Sequence, residues 1–114
     1  MSRTILFFLP RRLPLEPSDL GTDTVQPIDD VEVVRAALPS VLGDVTWADA
    51  SRGRATFEGQ RLELHVAPGT TLSMRCSLRS DPSALVQRLC DELGWLAFDE
   101  EPRCFQPHRA PMRA

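Results

Sequence analysis

The sequence predicts a single α+β domain built around an antiparallel β-meander. Apolar and polar side chains alternate with a period of two between about residues 45 and 78, and glycine- and proline-containing turns divide this stretch into four segments. Two stretches with a 3.6-residue apolar period flank the meander and can cover its apolar face. The length of 114 residues suits one domain with one core.

The N-terminal segment is a continuous apolar run, which predicts a strand over residues 4–9 that is buried on both faces. Pro10 ends this run. Residues 10–28 then contain four prolines and no apolar period, which predicts a long proline-rich connection. Connections of this length are typical of functional or mobile segments, so we expect a partner-binding role or disorder here.

Two helices are predicted, at about 30–38 and 82–93, and both are expected to pack on one face of the sheet. Asp29 is the expected N-cap of the first helix, and Pro39 disfavours helical backbone at the residue before it. Gly94 suits the left-handed position that ends the second helix.

The meander is predicted to consist of four strands, at about 45–50, 54–58, 61–66 and 72–78. Alternation gives these strands one apolar face and one polar face, as expected for an antiparallel sheet that is covered on one side.

Turn chemistry predicts how the first three of these strands pair. A three-residue loop at 51–53 sets Trp47 opposite Phe57. A two-residue loop at 59–60, with glycine first as a type II′ turn requires, sets Phe57 opposite Leu62.

The last hairpin of the meander is predicted to have a five-residue loop at 67–71. This loop sets Leu64 opposite Met74 on the apolar face and Glu63 opposite Arg75 on the polar face. A loop one residue longer or shorter would turn Leu64 toward a polar side chain, so the pattern selects this register.

The domain is predicted to span residues 1–101. The segment 102–114 contains three prolines and is expected to be a flexible tail.

Composition excludes several classes of protein. The net charge of −3 disfavours binding to nucleic acid, and no segment is long and apolar enough for a membrane span. The apolar run at 5–9 is too short for a signal peptide, so the sequence predicts a cytoplasmic location. All 13 basic residues are arginine, and lysine, asparagine and tyrosine are absent, which indicates a GC-rich, bacterial genome.

The polar face carries the candidate catalytic residues Glu63, His65 and Arg75, with Arg54 and Arg61 nearby. A carboxylate, an imidazole and several guanidinium groups on one surface can hold an anionic substrate and move a proton. The alternative is a solvated sheet face with cross-strand ion pairs, an ordinary feature of antiparallel sheets. The same register separates His65 from Cys76, which faces the core.

Cys104 and His108 are four residues apart and are the candidate metal ligands. A structural zinc site needs four ligands, and the sequence offers no second pair at such spacing. The three cysteines are an odd number, which does not suit a disulfide framework. We therefore expect no metal and no cofactor.

Three segments, ILFFLP, GDVTW and LVQRLCDELGWLAFD, carry a resemblance. With them, the chain resembles a loose group of small uncharacterised bacterial α+β proteins in which a C-terminal helix is followed by Gly-Trp, an apolar residue and Asp. The resemblance covers most of the chain in the order of its elements. It implies a compact bacterial α+β domain and transfers no activity or site residue.

Phosphate-binding loops, nucleophile elbows and Asp-x-Asp motifs are absent from the sequence. The first expectation is therefore a non-catalytic protein-binding domain, of the immunity type or a regulatory partner of a bacterial effector. The alternative is a small enzyme or an anionic small-molecule binder, which predicts a concave pocket around His65. Pairing of two copies through an exposed sheet edge is a third expectation.

Overall fold

The computed structural model describes residues 2–11, 23–28, 30–49, 51–57, 60–66, 71–77, 82–100, 103–108 and 112–113. Within these residues the strands are β1 Ser2–Pro10, β2 Val25–Pro27, β3 Val45–Trp47, β4 Arg52–Phe57, β5 Gln60–His65, β6 Leu72–Ser77, β7 Leu96–Phe98, β8 Arg103–Phe105 and β9 Met112–Arg113. The helices are α1 Val31–Ala37, α2 Pro39–Leu42 and α3 Ser83–Leu93. The predicted α+β class is confirmed.

All the described strands belong to one antiparallel sheet, in the order β3-β4-β5-β6-β1-β7-β8-β9. Strand β1 is central, between β6 and β7. Phe8 of β1 pairs with Leu96 of β7 and also with Pro27 of β2, so β2 lies beside β1 on the side of β6, beyond the end of that strand. The predicted connection 10–28 thus contains the strand β2. Its three residues are too few for a strand pattern to be recognised in the sequence. Residues 12–22 lie outside the described part of the chain.

The β5–β6 register is the predicted one. Leu64 lies opposite Met74, and Glu63 lies opposite Arg75. The loop residues 67–70 lie outside the described part of the chain, but the paired strands have the spacing that the five-residue loop requires.

The predicted β4–β5 register is wrong by two residues. Phe57 lies opposite Gln60 rather than Leu62, and Ala55 lies opposite Leu62. Because the observed partner of each residue is two positions from the predicted one, every side chain stays on its predicted face. The apolar pattern therefore cannot distinguish the two registers.

The predicted β3–β4 pairing is also wrong, because Trp47 lies opposite Gly53 and not opposite Phe57. The carboxylate of Asp49 closes this turn by accepting hydrogen bonds from the N–H groups of Ser51 (2.8 Å) and Arg52 (2.9 Å). Gly53 is then a strand residue. A Cβ atom there would lie 3.0 Å from Cε3 of Trp47, so glycine admits the indole ring.

The first predicted helix, 30–38, is α1, which ends at Ala37, before Pro39, as predicted. A second short helix, α2, was not predicted and begins at Pro39. The N-cap is Asp30 rather than Asp29, which lies outside the described residues. Oδ1 of Asp30 accepts hydrogen bonds from the N–H groups of Glu32 and Val33. Helix α3 ends as predicted, with Gly94 in the left-handed conformation at φ 72°.

The three helices cover one face of the sheet, as predicted. Their buried side chains join those of the strands in one core, which includes Ile5, Phe7, Val34, Leu38, Leu62, Leu64, Leu72, Met74, Val86, Leu89 and Trp95. The ring of Phe7 meets that of Trp95 edge to face, with 5.8 Å between centroids.

The prediction that the first strand is buried on both faces is wrong for Leu6. This side chain is 39% exposed on the face opposite the helices, whereas its neighbours Ile5 and Phe7 are fully buried. Phe8 is half-buried on the same face as Leu6 and meets Phe98 edge to face at 5.5 Å. The strand is central, but no helix of the described residues covers this second face.

Residues 103–105, expected to belong to a tail, form β8 of the sheet. Cys104 and Phe105 are buried there. The following residues are held to α3, because the amide of Gln87 donates to the carbonyl of Gln106 (2.6 Å) and the N–H of His108 donates to Asp91 (2.5 Å). This short stretch is thus anchored by side chains of the helix.

Asp91 should make stability depend on pH. Burial acts to raise the pKa of its carboxyl, but hydrogen bonds from the N–H of His108 and the amide of Gln87 outweigh it, so this pKa lies below its ordinary value. The stabilisation is then present above the ordinary carboxyl pKa of ~3.9 and is lost as the pH falls through the lower folded-state pKa.

Asp91→Asn is therefore expected to be less stable than the wild type at neutral pH. The difference in free energy of unfolding should shrink below about pH 4. Urea unfolding of both proteins at several pH values measures this difference. A difference that stays constant into the acid range would contradict the role given to the Asp91 carboxylate.

Candidate functional site

The polar face of the sheet has a row of charged side chains that crosses three strands. The pairing of β4 with β5 and of β5 with β6 sets Arg54, Glu63 and Arg75 side by side. Thr46 continues the row on β3, and Thr4 continues it on β1. Alternation along the strands positions these residues, since the side chains between them face the core.

Glu63 lies at the centre of this polar face. Arg54 and Arg75 flank it across the sheet, and Arg61 and His65 stand two residues away on the same face of β5. All five of these side chains are exposed. One carboxylate is thus surrounded by three guanidinium groups and an imidazole.

The alternative prediction for this face was a set of cross-strand ion pairs, and the arginines around Glu63 do not form them within the described residues. Among the described residues, the guanidinium groups of Arg54, Arg61 and Arg75 form no hydrogen bond and no ion pair within 4.0 Å. The N–H donors of these arginines are therefore left to solvent, although Glu63 is their neighbour in the sheet. Guanidinium donors in this state can take up a carboxylate or phosphate in a forked hydrogen bond.

Two adjoining concavities lie over the polar face. The first has a volume of about 520 Å³ around His65, with Arg54, Glu63 and Arg75 in its wall. The second, of about 750 Å³, is lined by Arg61 and shares Arg54 with the first. Arg54 therefore stands between the two.

The rim of the first concavity is the turn made by Asp49, which sequence reasoning did not single out. The N–H of Ser51 donates to its carboxylate and, with that of Arg52, holds the pKa of Asp49 below its usual value. An Asp two residues before a Ser is typical of such a turn, and this was the available signal. The turn directs Arg52 into the wall of the concavity.

The three candidate catalytic residues are together on this face. Glu63, His65 and Arg75 all line the first concavity. Glu63 and His65 are two apart on the same face of β5, and no hydrogen bond or ion pair joins them within the described residues. The arrangement can bind an anion through its guanidinium groups, and the two side chains are not coupled for proton transfer.

The cysteines lie away from His65. Cys76 and Cys90 are core residues, as predicted, and Cys104 is buried on β8. Burial raises the pKa of the Cys76 and Cys90 thiols, and it raises that of Cys104 to about 11. A thiol in this state is a poor nucleophile at neutral pH.

The candidate metal ligands have different surroundings. Cys104 is fully buried, whereas the ring of His108 is 80% exposed and its Nδ1 is 4.0 Å from Oδ1 of Asp91. Within the described ranges, no three His, Cys, Asp or Glu side chains form a group that could hold a metal ion. The pair thus gains no third ligand there.

Trp95 and Phe98 lie on opposite faces of the sheet and do not form a joint aromatic patch. Trp95, which follows the helix-ending Gly94, is 2% exposed and fills the core, whereas Phe98 is half-buried on the open face.

No protein-family model, curated protein or solved structure matches this chain. None of the helices in the described residues is long and apolar enough to cross a membrane. The functional argument therefore depends on the polar face itself.

Proposed function

We propose that this chain is a non-catalytic domain that binds another protein through the polar face of its sheet. More specifically, the domain is an immunity-type or regulatory partner of an effector in a bacterial cytoplasm, the location and the type of genome that the sequence predicts. The observation that carries the proposal is the group of three arginines around Glu63, whose guanidinium groups form no ion pair within the described residues.

The local charge supports an interaction surface. Four arginines line the two concavities, against the three acidic residues Asp44, Asp49 and Glu63. This excess of positive charge contrasts with the net charge of −3 of the whole chain. The surplus is one positive charge, and it is concentrated around Glu63, where Arg54, Arg61 and Arg75 surround one carboxylate. A local positive surplus favours encounter with a partner of the opposite sign.

The shape also favours a protein over a small ligand. The two concavities adjoin along β4, and the charged side chains that line them are exposed. Small ligands are usually held in a single concavity that buries most of their surface. An open, continuous face suits a segment of another chain.

Affinity capture from the source organism, with mild cross-linking and mass spectrometry, tests this proposal. A protein should be recovered in defined stoichiometry with the tagged chain and should bind the purified chain directly. Recovery of the tagged chain alone, repeated under cross-linking, would contradict the proposal.

A second candidate function is supported by the concavity around His65. Its volume of about 520 Å³ lies in the range of small-molecule sites, ~300–1,000 Å³. In this case the domain is a small enzyme or a binder of an anionic molecule that uses Glu63, His65 and Arg75. Calorimetric titration with citrate and with inorganic phosphate should then show saturable binding that His65→Ala weakens; absence of binding to either would exclude these two probes as ligands and count against the candidate.

Pairing of two copies through a sheet edge stays a prediction for β3, which pairs only with β4 among the described strands. Light scattering at rising protein concentration tests it, and a monomer throughout would dismiss it.

A further inference from the structure

We infer that the partner presents an extended acidic segment whose carboxylates stand on alternate residues, and that these carboxylates bind the arginines of the polar face. The inference rests on the proposed function and adds the chemistry of the partner. It follows from the charge of the face, the spacing of its arginines and the position of Glu63.

The arginines supply the chemistry. Arg54, Arg61 and Arg75 are exposed, and within the described residues none has an ion-pair partner. A guanidinium group donates two parallel hydrogen bonds to one carboxylate, a geometry that lysine cannot reproduce. The face is therefore built to take up carboxylates from outside the domain.

The spacing of the arginines selects an extended segment. Arg52 and Arg54 are two apart on β4, so their backbones are ~6.7 Å apart. Arg61 is diagonal to Arg54 across the β4–β5 pair, at ~7–8 Å and in the direction that continues from Arg52 to Arg54. Arg52, Arg54 and Arg61 thus follow one another along the face at steps of ~7 Å. Arg75 lies off this line, two strands from Arg54 on the far side of Glu63, at ~10 Å.

An extended chain repeats the same step. Its side chains alternate between two sides, and those on one side recur every ~6.7 Å. Carboxylates on alternate residues would all face the domain and meet successive arginines. In a run of consecutive acidic residues, half of the carboxylates would point away.

Glu63 limits how densely the acidic charge can be placed. It stands next to Arg54, beside the line of Arg52, Arg54 and Arg61, so a carboxylate that lies over it instead of over an arginine would be repelled. Any side chain of the segment that reaches Glu63 must be neutral or donate a hydrogen bond. Sparse acidic segments are therefore preferred over densely acidic ones.

Fluorescence anisotropy with two labelled peptides of equal length and composition tests the inference. One peptide alternates serine with glutamate, and the other has its glutamates in a single block. The alternating peptide should bind the full chain at least tenfold more tightly than the block peptide. Its affinity should fall at least tenfold for the variant with Arg54→Ser and Arg61→Ser.

Arg88→Ser is the matched control. Arg88 is an exposed arginine on α3, on the other side of the sheet, and its ion pair with Glu92 is at the surface. Peptide affinity should be unchanged in this variant, and thermal unfolding followed by circular dichroism should show that all variants are folded. A double variant that binds the alternating peptide as well as the wild type does would overturn the inference, and so would equal affinity for the two peptides.

Two further outcomes separate this inference from the proposed function. If citrate or inorganic phosphate displaces the peptide at the concentration at which the peptide itself binds, the face is a small-anion site and the inference is wrong. If a partner captured from the source organism binds the wild type and the double serine variant equally, protein binding stands and the acidic segment is wrong. If no partner is captured, the proposed function fails.

Discussion

Phe7→Ala is expected to lower the free energy of unfolding by about 3–5 kcal/mol, the usual loss for a phenylalanine deleted from a packed core. Phe7 is fully buried on the central strand β1, where it pairs with Leu72 of β6 and Ala97 of β7. Its ring also packs edge to face on Trp95. For a domain of this size the midpoint of thermal unfolding should fall by roughly 12–20 °C.

The matched control is Leu6→Ala on the same strand. Leu6 is 39% exposed on the face opposite the helices, so its truncation removes less buried surface and leaves no enclosed cavity. Urea unfolding should show less than about half the loss found for Phe7→Ala. Equal losses for the two variants would contradict the assignment of one covered and one open face to β1.

Reversal of charge at Arg54 and Arg61 is expected to lower affinity for the protein partner at least a hundredfold. Hydrogen bonds to charged groups contribute about 1.5–3 kcal/mol each, and glutamate at these positions adds repulsion of an acidic segment. Both side chains are exposed, so Arg54→Glu combined with Arg61→Glu should leave thermal unfolding within a few degrees of the wild type.

The control for this variant is Arg88→Glu, which makes the same kind of charge change on α3. It should keep the affinity of the wild type within about twofold, apart from a general effect of net charge that salt suppresses. Surface plasmon resonance with the captured partner measures both variants. If the two variants lost affinity equally, net charge rather than the polar face would determine binding.

The register between β5 and β6 could be predicted because two signals agree there. The loop length sets Leu64 opposite Met74, and a shift by one residue would turn an apolar side chain to solvent. Between β4 and β5 only the faces could be predicted, because the observed and expected registers differ by two and bury the same side chains. Alternation therefore predicts the face on which a side chain lies, but it does not determine which residue lies opposite.

Apart from β1, the strands outside the meander could not be derived from local pattern. Strands β2, β7 and β8 have three residues each, too few for a period of two to be recognised. Their strand structure comes from pairing with residues far along the chain, as when Phe8 meets both Pro27 and Leu96. The three prolines of 102–114 suggested a tail, whereas pairing with β7 makes residues 103–105 a strand.

The residues of the candidate site could be predicted from the sequence, but the shape of the site could not. Alternation alone places Glu63, His65 and Arg75 on one face, and the structure confirms that placement. The concavity depends on how neighbouring strands are arranged and on the turn held by Asp49, which are properties of the assembled sheet. The absence of ion pairs around Glu63 within the described residues likewise could be recognised only from the positions of the side chains.

Nuclear magnetic resonance of the ¹⁵N-labelled chain, titrated with the alternating serine–glutamate peptide, tests most directly whether the polar face is the binding surface. We expect saturable shifts of the backbone amide signals of Arg54, Glu63, His65 and Arg75 and of the arginine Nε–H signals of this face. The signals of α3 should stay unchanged. Shifts that cluster on α3, or around Leu6 and Phe98 at the apolar end of the same open face, would contradict the assignment of function to the arginines around Glu63.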